Sequence, residues 1–190
     1  MNITLVIFIL VLLAMPLTAF WLYDRRMLPA VARHMGLSLL RLWLVAAVLW
    51  LLWLALPAGI GRPQDMSLSV TTTAALLLLA VWSVSTCTRR AMKVFRISIA
   101  TGHSHREYLL ANGATRGEAM LPFMRRAMRR TAIAALRVPV MPVMLALVAV
   151  GQSPLQAVLM ATLAHACIIT SSLAYVLLRT RMAGRSNLSI

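Results

Sequence analysis

Apolar and polar positions fall in long blocks along this chain rather than alternating residue by residue. Apolar runs at about 3–23, 38–58, 68–88, 132–151 and 155–178 each approach the roughly 20 residues that a helix needs to cross a hydrocarbon core of about 30 Å. A transmembrane β-barrel needs polarity that alternates with a period of two, which these runs lack. The expected fold is all-α, a single polytopic membrane domain over residues 1–190 with about five transmembrane helices. The first run is expected to stay as a helix and not be cleaved as a signal, because Arg25 and Arg26 follow its apolar core instead of preceding it.

The polar segment 89–131 has its own periodicity. From Thr88 to about Ala100, Met92, Phe95 and Ile99 share one side of a helix while Arg89, Lys93 and Arg96 share another, so the third span is expected to continue beyond the membrane. Thr101-Gly102 interrupts this pattern, and Ser104 is placed to cap a short helix through "HREYLLAN". Gly113 suits the left-handed position that ends a helix, having no Cβ to clash. Thr115 and Glu118 then stand at capping-box spacing, starting a new helix through "AMLPFMRRAMRR", in which Pro122 denies one hydrogen bond. Pro139 and Pro142 predict a bent fourth helix, continuous with this basic one.

Composition places these helices in a membrane. The 190 residues are 61% hydrophobic, with 19 Lys and Arg against 4 Asp and Glu and a net charge of +15. Arginines cluster in the loop after the first run (Arg25, Arg26, Arg33), throughout 89–131, and in the tail (Arg179, Arg181, Arg185), whereas "GRPQD" holds only Arg62 and "GQSP" no charge. By the positive-inside rule every loop agrees with an outside N-terminus and a cytoplasmic C-terminus. The basic charge is thereby accounted for as a topology signal and does not point to nucleic acid.

Candidate chemistry inside the membrane is sparse. Arg41 and Arg137 lie about one turn inside their spans; they either snorkel to the interface or face a polar cavity or a partner protomer. His165, near the middle of the last span beside Thr162, Thr170, Ser171 and Ser172, either bonds a neighbouring helix or ligates a metal. Met141 and Met144 could line a soft-metal path with His165, or simply fill the core. His165 and Met144 are thus the side chains that hint at metal, without forming a ligand set, and His34 lies too near its span's end to pair with His165. Cys87 and Cys167 show no CxxC or CxxH spacing and read as small apolar residues; Trp43, Trp50 and Trp53 read as belt anchors and packing groups. His103 and His105 flank Ser104 without a Cys or carboxylate cluster and are expected to be solvated or at a partner contact.

"ANGATRGEAMLPFMRRAMRRTAIAAL" resembles the segment of FetB-type ABC exporter permeases, membrane subunits of iron or metal exporters, in which a Leu-Gly-Ala-Thr/Ser turn links a short helix to a basic one. "MPVMLALVAVGQSPLQAVLMATL" is similar to that family's Pro-Gly-Met-Met stretch and following Gly-x-x-Pro-x-x-Ala, with Pro142, Met144, Gly151, Pro154 and Ala157 matching and Val143 in place of the glycine. "LSLLRLWLVAAVL" is similar to the family's early helix with its intramembrane arginine, here Arg41. Members of that family are longer, with additional spans.

The resemblance implies a permease subunit in a bacterial cytoplasmic (inner) membrane, coupled to a separate ABC ATPase. Glu107, Leu110, Asn112, Gly113, Ala114, Thr115, Arg116 and Glu118 would form the coupling element; Arg41, Arg137, Pro139, Met141, Pro142, Met144 and His165 would line the path of a metal ion or a small or hydrophobic solute. The chain has no GxxxxGK[ST] stretch, so no cofactor is expected on it and no enzymatic activity of its own; ATP and Mg would sit on the partner. About five helices are too few to enclose a path, so a homodimer is expected. The competing reading is a non-transporting anchor whose basic segment meets anionic lipid and recruits a soluble partner.

Overall fold

The computed structural model describes residues 3–55 and 70–185. "GRPQD", with Arg62 and Asp65, and the adjoining ends of the second and third expected spans lie outside the described residues. Among the described residues 91% are helical and none lies in a strand. The chain forms α1 (Ile3–Tyr23), a single 3₁₀ turn (Arg25–Met27), α2 (Leu28–Ala55), α3 (Val70–Thr101), α4 (His103–Ala111), α5 (Arg116–Leu136), α6 (Met141–Ala149) and α7 (Pro154–Arg185).

Among the described residues three stretches are long and apolar enough to cross a membrane: Arg25–Leu52, Pro154–Ala183, and Arg116–Ala149 when counted through the break between α5 and α6. The apolar part of α1, Ile7–Tyr23, is shorter, and α3, whose side chains are described from Leu76 onward, is not among them. α2 starts at Leu28, because only the 3₁₀ turn separates it from α1 and "PAVARHMGLS" sustains helix despite its polar residues; the span expected from 38 begins inside this longer helix. One expectation needs correction. The fourth span is broken, not merely bent: α5 ends at Leu136 and α6 begins at Met141. Pro139 has no amide hydrogen and drives Val138 away from helical geometry, while Pro142 falls in the first turn of α6, where a missing donor costs nothing.

α7 is the spine of the bundle, touching α1, α2, α3, α5 and α6. Its buried face runs from Ala157 and Ala161 through His165, Ile169 and Ser172 to Val176 and Thr180, spaced three or four residues apart. Small residues at its start let α2 and α6 approach closely, where Leu42, Ala46, Val143, Met144 and Leu147 pack against Ala157, Val158 and Ala161. Around its middle, Phe20, Met35, Cys87, Met128 and Ala132 close over Ile168, Ile169 and Leu173. Towards its end, α3 and α5 meet through Ala91, Phe95, Ile99, Met120, Phe123 and Met124 beside Val176.

The handover from α1 to α2 is held by charge. Asp24 is buried, and Arg129 Nε of α5 donates to its Oδ2 at 2.6 Å. Arg125 Nε donates to the Tyr23 carbonyl at 2.7 Å, and Arg181 of α7 bonds the Tyr23 hydroxyl while its guanidinium lies over the Tyr23 ring. Three helices therefore converge on Tyr23-Asp24.

The pair is asymmetric: the Asp24 side chain is 4% exposed and that of Arg129 42%. Removing the arginine strands a buried carboxylate, whereas removing the carboxylate leaves an arginine that water can reach. Arg129→Ala is expected to destabilise the detergent-solubilised protein by about 2–4 kcal/mol and Asp24→Ala by less. Thermal unfolding monitored by size-exclusion fluorescence ranks the two; the reverse order would show that the pair does not carry this load.

Candidate functional site

The helix–corner–helix element is built from local hydrogen bonds. α4 ends in a Schellman motif: Gly113 N donates to Leu110 O at 3.1 Å and Ala114 N to Leu109 O at 3.0 Å, with Gly113 at φ +84°. Asn112 Nδ2 donates back to Tyr108 O at 2.7 Å. α5 then starts in a reciprocal capping box: Glu118 N donates to Thr115 Oγ1 at 3.3 Å, while Thr115 N and Oγ1 donate to Glu118 Oε2 at 2.8 and 2.7 Å. The expected Gly113 stop and Thr115–Glu118 start are both present.

The expected Ser104 cap is not. α4 begins at His103 with Gly102 as its cap and no side-chain capping bond. Gly102 N donates to Ser98 O at 3.0 Å and Arg106 N to Gly102 O at 3.0 Å, so the chain turns on one residue and Ser104 is already inside the first turn. Gly102 is required by space: a Cβ there would lie 2.8 Å from Phe123 Cζ and 2.9 Å from Ser98 O.

α4 buries none of its residues and rests mainly on α5. Glu107, Leu110, Asn112, Gly113, Thr115, Arg116 and Glu118 are exposed and Ala114 half-exposed, so the corner projects from the bundle. His103 Nδ1 lies 3.3 Å from Glu107 Oε1, and His105 is exposed. Nothing lies within 4 Å of a Cβ built on Gly113; substitution there strains the backbone without filling space.

At the other end of α5 the backbone is irregular from Arg137 to Val140. On one side of this break a cavity of about 150 Å³ is bounded by Arg41 and Ser38 of α2, by Pro139 and Met141, and by His165 of α7. His165 is 4% exposed, and neither ring nitrogen has a hydrogen-bond partner among the described residues. At about 30 Å³ per molecule the space admits several waters, which would satisfy those nitrogens. On the other side, a groove of about 650 Å³ between α3 and α5 is bordered by Arg90, Arg130 and Arg137. Val138 and Pro139 border both spaces.

The expected path residues are thus divided. Arg41, Pro139, Met141 and His165 come together; Arg137, at the end of α5, opens instead onto the α3–α5 groove. Met144 is fully buried in the α2–α6–α7 core, and Pro142 is exposed outside the cavity. No group of three His, Cys, Asp or Glu side chains able to hold a metal occurs among the described residues; His165 borders the cavity together with Arg41 and Met141. Trp43 and Trp50 face outward, as belt residues do.

Asp24, Ser38, Arg90, Arg130 and the need for a residue without a Cβ at Gly102 are not singled out by the sequence pattern. Asp24 carried a usable signal, being one of only 4 acidic residues against 19 basic ones. Comparison with protein-family models, curated proteins and solved structures finds no significant match.

The capping box makes the corner sensitive to acid. Hydrogen bonds from the Thr115 backbone and then its hydroxyl hold the Glu118 carboxyl below its ordinary value. A carboxyl lowered on folding stabilises the cap above its unfolded pKa, and this contribution is lost as pH falls through the lowered folded value. Amide exchange at 115–119, corrected for intrinsic rates, is expected to stay slow at neutral pH and accelerate below the ordinary glutamate pKa of about 4.3. Glu118→Gln should flatten that acid response, and an unaltered response in the variant would remove Glu118 from the cap.

Proposed function

We propose that this chain is the membrane permease subunit of an ABC transporter, an exporter of a metal ion or a small or hydrophobic solute, working as a homodimer with separate ATPase subunits. Its five helical runs would cross a bacterial cytoplasmic membrane with the N-terminus outside and the arginine-rich end in the cytoplasm. The observation that carries this reading is the exposed, doubly capped corner at 109–118, which leads through an unbroken α5 to the irregular backbone beside His165.

A corner of this kind suits insertion into a groove on a partner. Schellman and capping-box bonds fix the angle between α4 and α5, so a push on the corner moves α5 as a lever instead of unwinding it. The lever ends where Pro139 prevents helical continuity, and a shift there changes the walls of the cavity bounded by Arg41 and His165. ATP and Mg belong to the partner in this scheme. Resemblance to FetB-type permeases supports export, and the cavity's single imidazole and single arginine leave the cargo class broad.

A lipid-bound anchor would depend on the number of arginines and weaken gradually with each one removed and with salt. A coupling corner depends on shape. Gly113→Val forces a β-branched residue into a left-handed conformation, costing about 1–2 kcal/mol locally. In proteoliposomes with its ATPase subunit, this variant is expected to insert normally while stimulation of ATP hydrolysis falls about tenfold. Undiminished stimulation in a normally inserted variant would contradict the coupling role.

A further inference from the structure

The α3–α5 groove is a different environment from the His165 cavity. Leu79 and Trp82 form its apolar end, Ser83 and Thr86 its middle, and Arg90 and Arg130 its basic end. Arg137 lies seven residues beyond Arg130 along the chain, roughly 10 Å by helical rise. No carboxylate borders the groove, and none of the three arginines has an ion-pair or hydrogen-bond partner among the described residues. Trp82 is 74% exposed beside it.

Unpaired guanidinium groups sharing a concave surface repel one another and favour an anion, and the planar guanidinium fork matches two neighbouring oxygens of a phosphate. The apolar end of the same groove favours hydrocarbon. We infer that the groove binds an anionic glycerophospholipid, its phosphate held by Arg90 and Arg130 at the basic end, with Arg137 adding positive charge further along the same groove and an acyl chain lying along Leu79 and Trp82. Free phosphate satisfies the arginines but leaves the apolar end uncovered; a zwitterionic lipid covers it but brings a cation towards the arginines. Because Val138 and Pro139 also border the groove, the bound lipid buttresses the α5–α6 break from the side opposite His165. This inference does not depend on the cargo or on an ATPase.

Native mass spectrometry of the full-length protein, released from nanodiscs of equimolar phosphatidylglycerol and phosphatidylcholine, tests it. The wild type is expected to retain phosphatidylglycerol selectively, and millimolar inorganic phosphate is expected not to displace it. At about fivefold per arginine, a triple Arg90→Gln, Arg130→Gln, Arg137→Gln variant should lose roughly a hundredfold in affinity. The matching Lys triple variant should keep most of the selectivity, and removing Arg89, Arg96 and Arg126 instead should change it little. Should the Gln triple fail to fold, wild-type selectivity and the Lys triple still decide. Equal retention of both lipids, easy displacement by phosphate, or equal losses in the two arginine-removal sets would overturn the assignment.

Discussion

The carboxylate of Asp24 sits below the surface of a protein with almost no acid, and its burial is acceptable only because Arg129 is bonded to it. That requirement fixes one end of α1 against the middle of α5. Arg125 and Arg181 then use the carbonyl and hydroxyl of neighbouring Tyr23, bringing α7 to the same point. With α5 so anchored, Met120, Phe123, Met124 and Ala127 turn towards α3 and α7, while the N-terminus of α5 and the whole of α4 extend beyond the packed layer. The projecting corner follows from where the helices are tied.

Rigidity and interruption are distributed unequally along α5. At its start, reciprocal bonds between Thr115 and Glu118 and the glycine at φ +84° define a fixed corner. At its end, Pro139 removes a donor and the chain leaves helical geometry for the stretch between Leu136 and Met141. A displacement entering at the corner is therefore relieved at the break, between the His165 cavity and the arginine-lined groove. Two arrangements of that break are what the coupling scheme requires, and both neighbouring spaces supply groups able to favour one of them.

How far the chain was legible follows from how local each interaction is. The Gly113 stop and the Thr115–Glu118 box involve residues at most a few positions apart, and both stand where the spacing placed them. The proline pair was visible, but whether it bends or breaks a helix depends on backbone geometry beyond the residue identities. Because the break resets the helical phase, counting around α5 could not show that Arg137 faces the α3 groove while Met141 faces His165. Ser104 is not the cap because α4 already starts at His103, with Gly102 at the cap, where Phe123, far along the chain, leaves no room for a Cβ. Asp24 and Arg129 are 105 residues apart, and nothing in either neighbourhood named the other.

The proposed coupling requires that the end of the bundle carrying Tyr23-Asp24 and the projecting corner face the cytoplasm, and that the turn linking α6 to α7, at residues 150–153, lie at the other membrane surface. Single cysteines at the exposed positions Asn112→Cys and Val150→Cys, each in a Cys87→Ser, Cys167→Ser background, test it with a membrane-impermeant maleimide. In intact spheroplasts the cysteine at 150 should label and that at 112 should not, and inside-out vesicles should reverse the pattern. Labelling at 112 in intact spheroplasts would place the corner beyond reach of any cytoplasmic ATPase and contradict the account.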